Sequence, residues 1–539
     1  MTRITTKLAD AFHAHRTDFL VLLVLSLFAL VIRIGYLAEY PNSIMHEDSG
    51  PYVDEAERLL EGRATKNGEI PGRAPGYPLF LAAIISLVSP KLLYTVGIQH
   101  VLGIGTALLL TLSLRMLGVG RLLSYGFFIA VAFAHRLIHY DNTIGAETLT
   151  VFLLSLNVLL VTGMALRHWN PWGCAAAIGL VFGYLILVRS ATFFIPFVFA
   201  FWLILPMAKF CSGWRQRLAL MALILIPSVL AVVGMTQWNK VHYNRAVLSR
   251  EAEPVMAFVI AYSGDFSEQG PKYDVLENYP GFREKLNTVV EEGRATLKSD
   301  GYSSVHHYQW VFGIFDVLDL KHFGSQQEKD RVVAGLFWET VFTPQTLFRH
   351  VTEHTLRELR FMLLDSTPVA NSTVPPLELV NFTRRDGSVL RIAEAAANHQ
   401  PGTGIRKLLP NVLGVPLQRF TNRYIHNKYT TEYRQKPGLM RLYTVLSIAT
   451  FGIMAIWLLF SATRSTPAGG ISHFNRPALD TKSSVALLIF TIWIGNAVLI
   501  STLTYALHRY SYYVMPFAAL TAFYGLDRLT RYVQAVRNN

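Results

Sequence analysis

Two short stretches of this chain place carboxylates beside apolar runs. Glu47 and Asp48 open "EDSGPYVDEAERLLEG", residues 47–62, and Glu147 closes "HYDNTIGAE", residues 139–147. Three arginines stand at similar boundaries: Arg73 in "GRAPGYP", Arg189 at the end of "GLVFGYLILVR", and Arg509 in "HRYSYY". A positioned carboxylate can accept a hydroxyl proton, orient another group or help hold a divalent ion. It can equally cap a helix, and Asp48 or Ser49 could do so for residues 51–61. A guanidinium fork matches phosphate oxygens, while a long Arg side chain also snorkels to lipid headgroups. Tyr77 and Tyr510 can pack on a sugar or lipid, or anchor the chain at a membrane interface. Asp54, Glu55, Glu57 and Glu61 read as the solvated face of a helix, and Asp141 as a plain loop carboxylate.

Composition sets the elements that must position these groups. The 539 residues are 52% hydrophobic and 16% charged, whereas a soluble domain is about 25% charged. Apolar windows near span length recur at 19–38, 94–114, 121–138, 148–166, 172–188, 192–208, 217–237, 441–461, 484–505 and 510–527. The expected fold is therefore an α-helical polytopic membrane protein with about 10–11 transmembrane helices. The run 75–89, "PGYPLFLAAIISLVS", is too short to cross and is expected to be re-entrant or a short helix. No cleavage signature follows the first run, which is read as a retained span. Cys174 and Cys211 suggest neither a disulfide framework nor a zinc site.

Short basic connections assign the two sides. Arg115, Arg121, Arg167, Lys209, Arg215, Arg217, Arg464, Arg476, Lys482 and the Arg528, Arg531 and Arg537 tail fall on one face, which becomes the cytoplasmic one. The net charge of +13 records that bias and contact with anionic headgroups rather than nucleic acid. The acidic first loop, 139–147, Arg189, the segment 239–438 and "HRY" then share the opposite face. Three parts follow: an N-terminal membrane module over 1–238, an extracytoplasmic segment over 239–438, and a C-terminal membrane module over 439–539. The middle segment reads as amphipathic helices, including 325–341 and 343–364. Within it, 384–436 holds ten Lys or Arg against three Asp or Glu, an excess suited to headgroups or to an anionic substrate.

Taken in order, several stretches resemble the polyprenyl-phosphate-sugar-dependent glycosyltransferases of the protein mannosyltransferase and aminoarabinose transferase superfamily, which have the GT-C fold. "EDSGPYVDEAERLLEG" is similar to the family's first loop and "GRAPGYPLFLAAI" to its Arg-x-Pro-Gly-Tyr-Pro element. "IGAETLTVFLL" resembles its second acidic motif, "GLVFGYLILVRSA" its Gly-rich span ending in Arg, and "HRYSYYVMPFAAL" the start of its last span. The resemblance covers about 19–245 and 440–530. It implies Asp48 as the catalytic base, with Glu47 sharing or supporting that role and Glu147 as the second acidic residue. It implies Arg189 and Arg509 on the donor phosphate, with Arg73 there or organising the loop. Tyr77 and Tyr510 would meet substrate. The implied reaction is inverting transfer from a polyprenyl-phosphate sugar to a lipid, glycan or protein acceptor, outside the cytoplasm, at the bacterial inner (plasma) membrane.

No cofactor is required by the sequence, and a divalent metal is compatible with it. "HVTEH", residues 350–354, fits an inverted zinc-protease pattern but has no further ligand beside it. No Walker A loop or dinucleotide fingerprint is present. A lipid or solute transporter or flippase is the competing class. Transporters carry repeats and ionisable groups within spans, whereas most charges here fall at span ends.

Overall fold

The computed structural model describes residues 2–39, 49–62, 73–204, 213–246, 264–279, 281–299, 322–343, 381–383, 389–391, 481–503 and 508–538, with a few single positions between 256 and 318. The chain is a helical, polytopic integral-membrane protein. Helix α1 runs Thr2–Glu39, α2 Ser49–Leu60, α3 Gly76–Leu87, α4 Leu92–Met116 and α5 Arg121–Ala132. They are followed by α6 His135–Asp141, α7 Glu147–Ala165, α8 Pro171–Val188, α9 Ile195–Ile204 and α10 Trp214–Tyr243. Five stretches are long and apolar enough to cross a membrane: Arg16–Gly35 of α1, and helices α4, α7, α8 and α10.

The apolar windows mark these helices closely, with one difference. The window 121–138 is two helices rather than one, because α5 ends at Ala132 and α6 begins at His135. The α3 helix has 12 residues, or about 18 Å at the helical rise, well short of a hydrocarbon core of about 30 Å. It is the short helix expected after the first loop. The window 441–461, Cys211 and the "HVTEH" stretch lie outside the described residues. Cys174 is a buried free thiol.

Lipid tails compete with side chains for apolar contact, so helix association needs close backbone approach and polar ties. The seam between α8 and α10 supplies the first. Gly179 and Gly183 face the Leu223 and Pro227 carbonyls, and a Cβ at 183 would stand 2.9 Å from Pro227 O. Polar ties join more distant parts. Trp202 Nε1 donates to Ser484 Oγ at 3.0 Å, linking α9 to α13, Thr481–Leu503. Gly120 N donates to Asp527 Oδ1 at 2.9 Å, linking the start of α5 to α14, His508–Asn538. Helix α7 lies innermost, with 83% of its apolar window buried.

A second apolar core gathers Phe266, Tyr273, Leu276, Leu286, Val290, Leu336 and Phe337. It is built on α11, Phe282–Ser299, and α12, Gln326–Phe342. Ser325 caps α12 by accepting from Glu328 N at 3.2 Å, while the Glu328 carboxylate accepts from Gly324 N at 2.9 Å. Arg245, just past α10, grips Asp330 of α12 with two bonds of 2.9 and 2.7 Å. Strands β1, Asn381–Thr383, and β2, Val389–Arg391, form a small antiparallel pair.

Candidate active site

Two antiparallel helices of matched length bring the first pair of groups together. Helix α7 has 19 residues and α8 has 18, so the N-terminus of α7 and the C-terminus of α8 finish level. Between them the chain reverses with Arg167 in the left-handed region at φ 57°. Glu147 is the first residue of α7 and Arg189 caps α8. The helix dipoles favour a carboxylate at the first position and a cation at the second. Arg189 NH1 lies 3.5 Å from Glu147 Oε1, with the side chains 16% and 12% exposed. Arg189 adopts extended backbone, φ −150° and ψ 103°, and Thr192 Oγ1 donates to its carbonyl at 2.8 Å.

The "GRAPGYP" element crosses the end of α8. Gly76 lies against the Leu187 and Val188 backbone, where a Cβ would collide, and Tyr184 OH donates to Gly76 O at 3.0 Å. Tyr77 is fully buried. Its hydroxyl donates to Gln99 Oε1 of α4 at 2.6 Å. The expectation that Tyr77 packs on a sugar or lipid is therefore replaced by a supporting role, since its polar end is committed inside. Arg73 stacks over Tyr52, its guanidinium carbon 5.5 Å from the ring centroid. Tyr52 in turn meets Tyr77 edge-on at 4.9 Å.

Residues 141–147 form a strap held from three sides. Ser49, the first residue of α2, donates its hydroxyl to Ile144 O at 2.6 Å, so it ties α2 to the strap. Gln99 Nε2 donates to Asp141 O at 3.0 Å and Thr143 O at 2.7 Å. Asp141 is no plain loop carboxylate: it is 1% exposed and pairs at 3.2 Å with the equally buried Arg33 of α1. It also accepts from Thr148 Oγ1 at 2.9 Å, and Arg33 NH1 donates to Ala132 O at 2.7 Å. An arginine inside the first apolar run was the sequence signal for this pair. Gln99 carried none, being one amide within an apolar stretch.

The acidic face of α2 is less solvated than its composition suggests. Asp54, Glu55 and Glu57 are all partly buried. Burial pushes the Glu55 carboxyl above its usual range, against the opposing pull of Arg58, which lies 3.4 Å away.

Asp48 and Glu47 lie outside the described residues, one and two positions before Ser49. Arg509 and Tyr510 fall in the first turn of α14, and their side chains lie outside the description. A divalent cation needs several oxygen ligands. Among the described residues no three His, Cys, Asp or Glu side chains gather to supply them, and Glu147 faces Arg189.

Gly145 sits beneath the Glu147 carboxylate, where a Cβ would press on Oε2. Gly145→Ala is expected to displace that flexible carboxylate and loosen the pair while leaving thermal stability within about 1 kcal/mol. Unfolding curves alongside amide hydrogen exchange at 189–192, around the partner Arg189, check this. Unchanged exchange there would contradict it.

At the opposite end of the bundle, Asp18 binds Arg115 at 3.2 Å and Arg121 at 2.9 Å. Arg531 pairs with Asp527 at 2.8 Å. Along α4, Arg115 stands 16 residues beyond Gln99, or about 24 Å. Basic residues expected on one face thus lie at one end, and Glu147, Arg189, Arg73 and Ser49 at the other.

No family model and no curated protein matches this chain. Two solved structures are similar to it. One is the archaeal oligosaccharyltransferase AglB from Archaeoglobus fulgidus, in complex with an inhibitory peptide and a dolichol-phosphate. It is 15% identical at a TM-score of 0.40, covering 96% of this chain and 51% of that one. The other is the Archaeoglobus fulgidus oligosaccharyltransferase in the apo form, 14% identical at a TM-score of 0.41 with the same coverage. The chain spans about half the length of the solved structures it resembles.

Proposed function

We propose that this chain is an inverting glycosyltransferase of the membrane, using a polyprenyl-phosphate sugar as donor and a lipid, glycan or protein hydroxyl as acceptor. The observation that carries the reading is the meeting of Arg189 and Glu147 at 3.5 Å. They meet at the end of the bundle where Ser49 anchors the first acidic loop to the same strap. A cation, a carboxylate and the loop holding Asp48 are the parts that transfer from a lipid phosphate needs.

In a single displacement the acceptor oxygen bonds to the anomeric carbon as the bond to the phosphate oxygen breaks. Asp48 takes the hydroxyl proton, with Glu47 supporting it, and the electron pair leaves on the phosphate. Arg189 holds that developing charge in a site of low dielectric, where a fixed cation acts more strongly than in water. Arg509 joins it by the resemblance. Arg73, over Tyr52, keeps the loop in place, and Glu147 orients the acceptor or the guanidinium. The reaction belongs outside the cytoplasm of a bacterial plasma membrane, a side supported by the basic connections at the far end.

The test is transfer from a radiolabelled polyprenyl-phosphate sugar by purified protein in nanodiscs, with total lipid and protein extracts as acceptors. Arg189→Ala is expected to raise donor KM and lower turnover about 10²-fold, with folding retained. Donor movement across the bilayer without transfer would sink the enzyme reading in favour of a flippase.

A further inference from the structure

Buried amides in a membrane helix are expensive unless every polar atom finds a partner. Gln99 is fully buried in α4, and its bonds have an order to them. Its NH2 group donates to the carbonyls of Asp141 and Thr143 at 3.0 and 2.7 Å. The Asp141 carbonyl is the last of α6 and has no donor within the helix. The Gln99 side-chain oxygen, Oε1, accepts from the Tyr77 hydroxyl at 2.6 Å. One side chain therefore joins two elements: its amide nitrogen holds the strap and its oxygen holds Tyr77 of the crossing element.

We infer that Gln99 is a positioning residue that clasps the 141–147 strap to the "GRAPGYP" element, setting Glu147 against Arg189. Its importance for turnover rests on the function proposed above; the clasp itself does not. Methionine has nearly the same length and shape but neither donates nor accepts well. Gln99→Met should remove the amide that donates to two carbonyls of the strap and release the Tyr77 hydroxyl. Because Gln99 bonds to the strap and to the crossing element, both should loosen together. A general packing defect would not single them out.

The experiment is amide hydrogen exchange on the full-length protein in nanodiscs, with transfer kinetics in parallel. Gln99→Met is expected to speed exchange about tenfold in peptides covering 141–147 and 73–80, with α13 unchanged. Turnover should fall about tenfold while donor KM stays within twofold, as expected for a misplaced group. Tyr77→Phe should loosen the strap as well, and adding it to Gln99→Met should bring little further change. If Gln99→Met does not fold, Tyr77→Phe alone decides, since it removes one oxygen. Exchange that stays unchanged in 141–147, or effects of the two substitutions that add in full, would overturn the clasp. Loosening of both segments in a protein whose wild type transfers no sugar would support the clasp and reject the enzyme reading.

Discussion

Asp48→Asn is expected to leave the protein in the membrane with its donor bound, and to lower single-turnover transfer by about 10²-fold or more. Asparagine keeps the size of aspartate and caps a helix as well. What it lacks is a carboxylate that can take a hydroxyl proton. The contrast is Asp54→Asn, six residues further on in α2, which should transfer sugar at close to the wild-type rate. Ser49 makes the comparison clean, since its bond to Ile144 holds the start of α2 in both variants. Thermal stability is followed alongside transfer. Normal turnover in Asp48→Asn with failure of Glu47→Gln or Glu147→Gln would move the base to that residue. Normal turnover in all three would leave the carboxylates as markers of the membrane boundary.

The second large effect falls on folding. Asp141→Leu should cost about 3–5 kcal/mol, because it strands the Arg33 guanidinium in a site 1% exposed. A guanidinium keeps its charge at any accessible pH. Arg33→Met should cost less, since the abandoned carboxyl can take up a proton and become neutral. The double substitution should recover most of the loss, as apolar replacements of buried ion pairs commonly do. Unfolding followed in mild detergent gives all three values. Equal losses for the two single variants, with the double equal to their sum, would show that the two side chains act separately.

Much of the architecture was legible in the sequence because hydropathy reports helices one at a time. The windows for α1, α4, α7, α8 and α10 needed only their own residues, and the short 75–89 run gave α3. The break at Phe133 and Ala134 was missed, since both residues are apolar and average hydropathy does not register a helix end. The site was legible where chemistry is written locally. Glu147 and Arg189 stand at helix ends and meet because those helices have matched lengths. Asp141 was misread because its partner lies 108 positions away, and pairing over that distance depends on how α1, α4 and α6 pack. Gln99 and Tyr77 gain their roles from one another, and neither residue alone carries a pattern.

The glycine seam on α8 has a mechanical consequence. Helix α10 is fixed near its start, where Arg217 donates to the carbonyls of Leu203 and Ile204 at 3.0 and 3.1 Å. Six residues on, at Leu223, it touches Gly179. Twenty-eight residues on, Arg245 grips Asp330 at 2.7 and 2.9 Å. Those spacings are about 9 and 42 Å along a helix, so α10 is a lever with its fulcrum near Arg217 and a long arm toward the second core. Prising the seam open by about 1 Å would swing the far end roughly 4–5 Å, further than the Arg245 bonds can stretch. The absence of two side chains in the α8–α10 seam thus keeps the second core in register with the bundle.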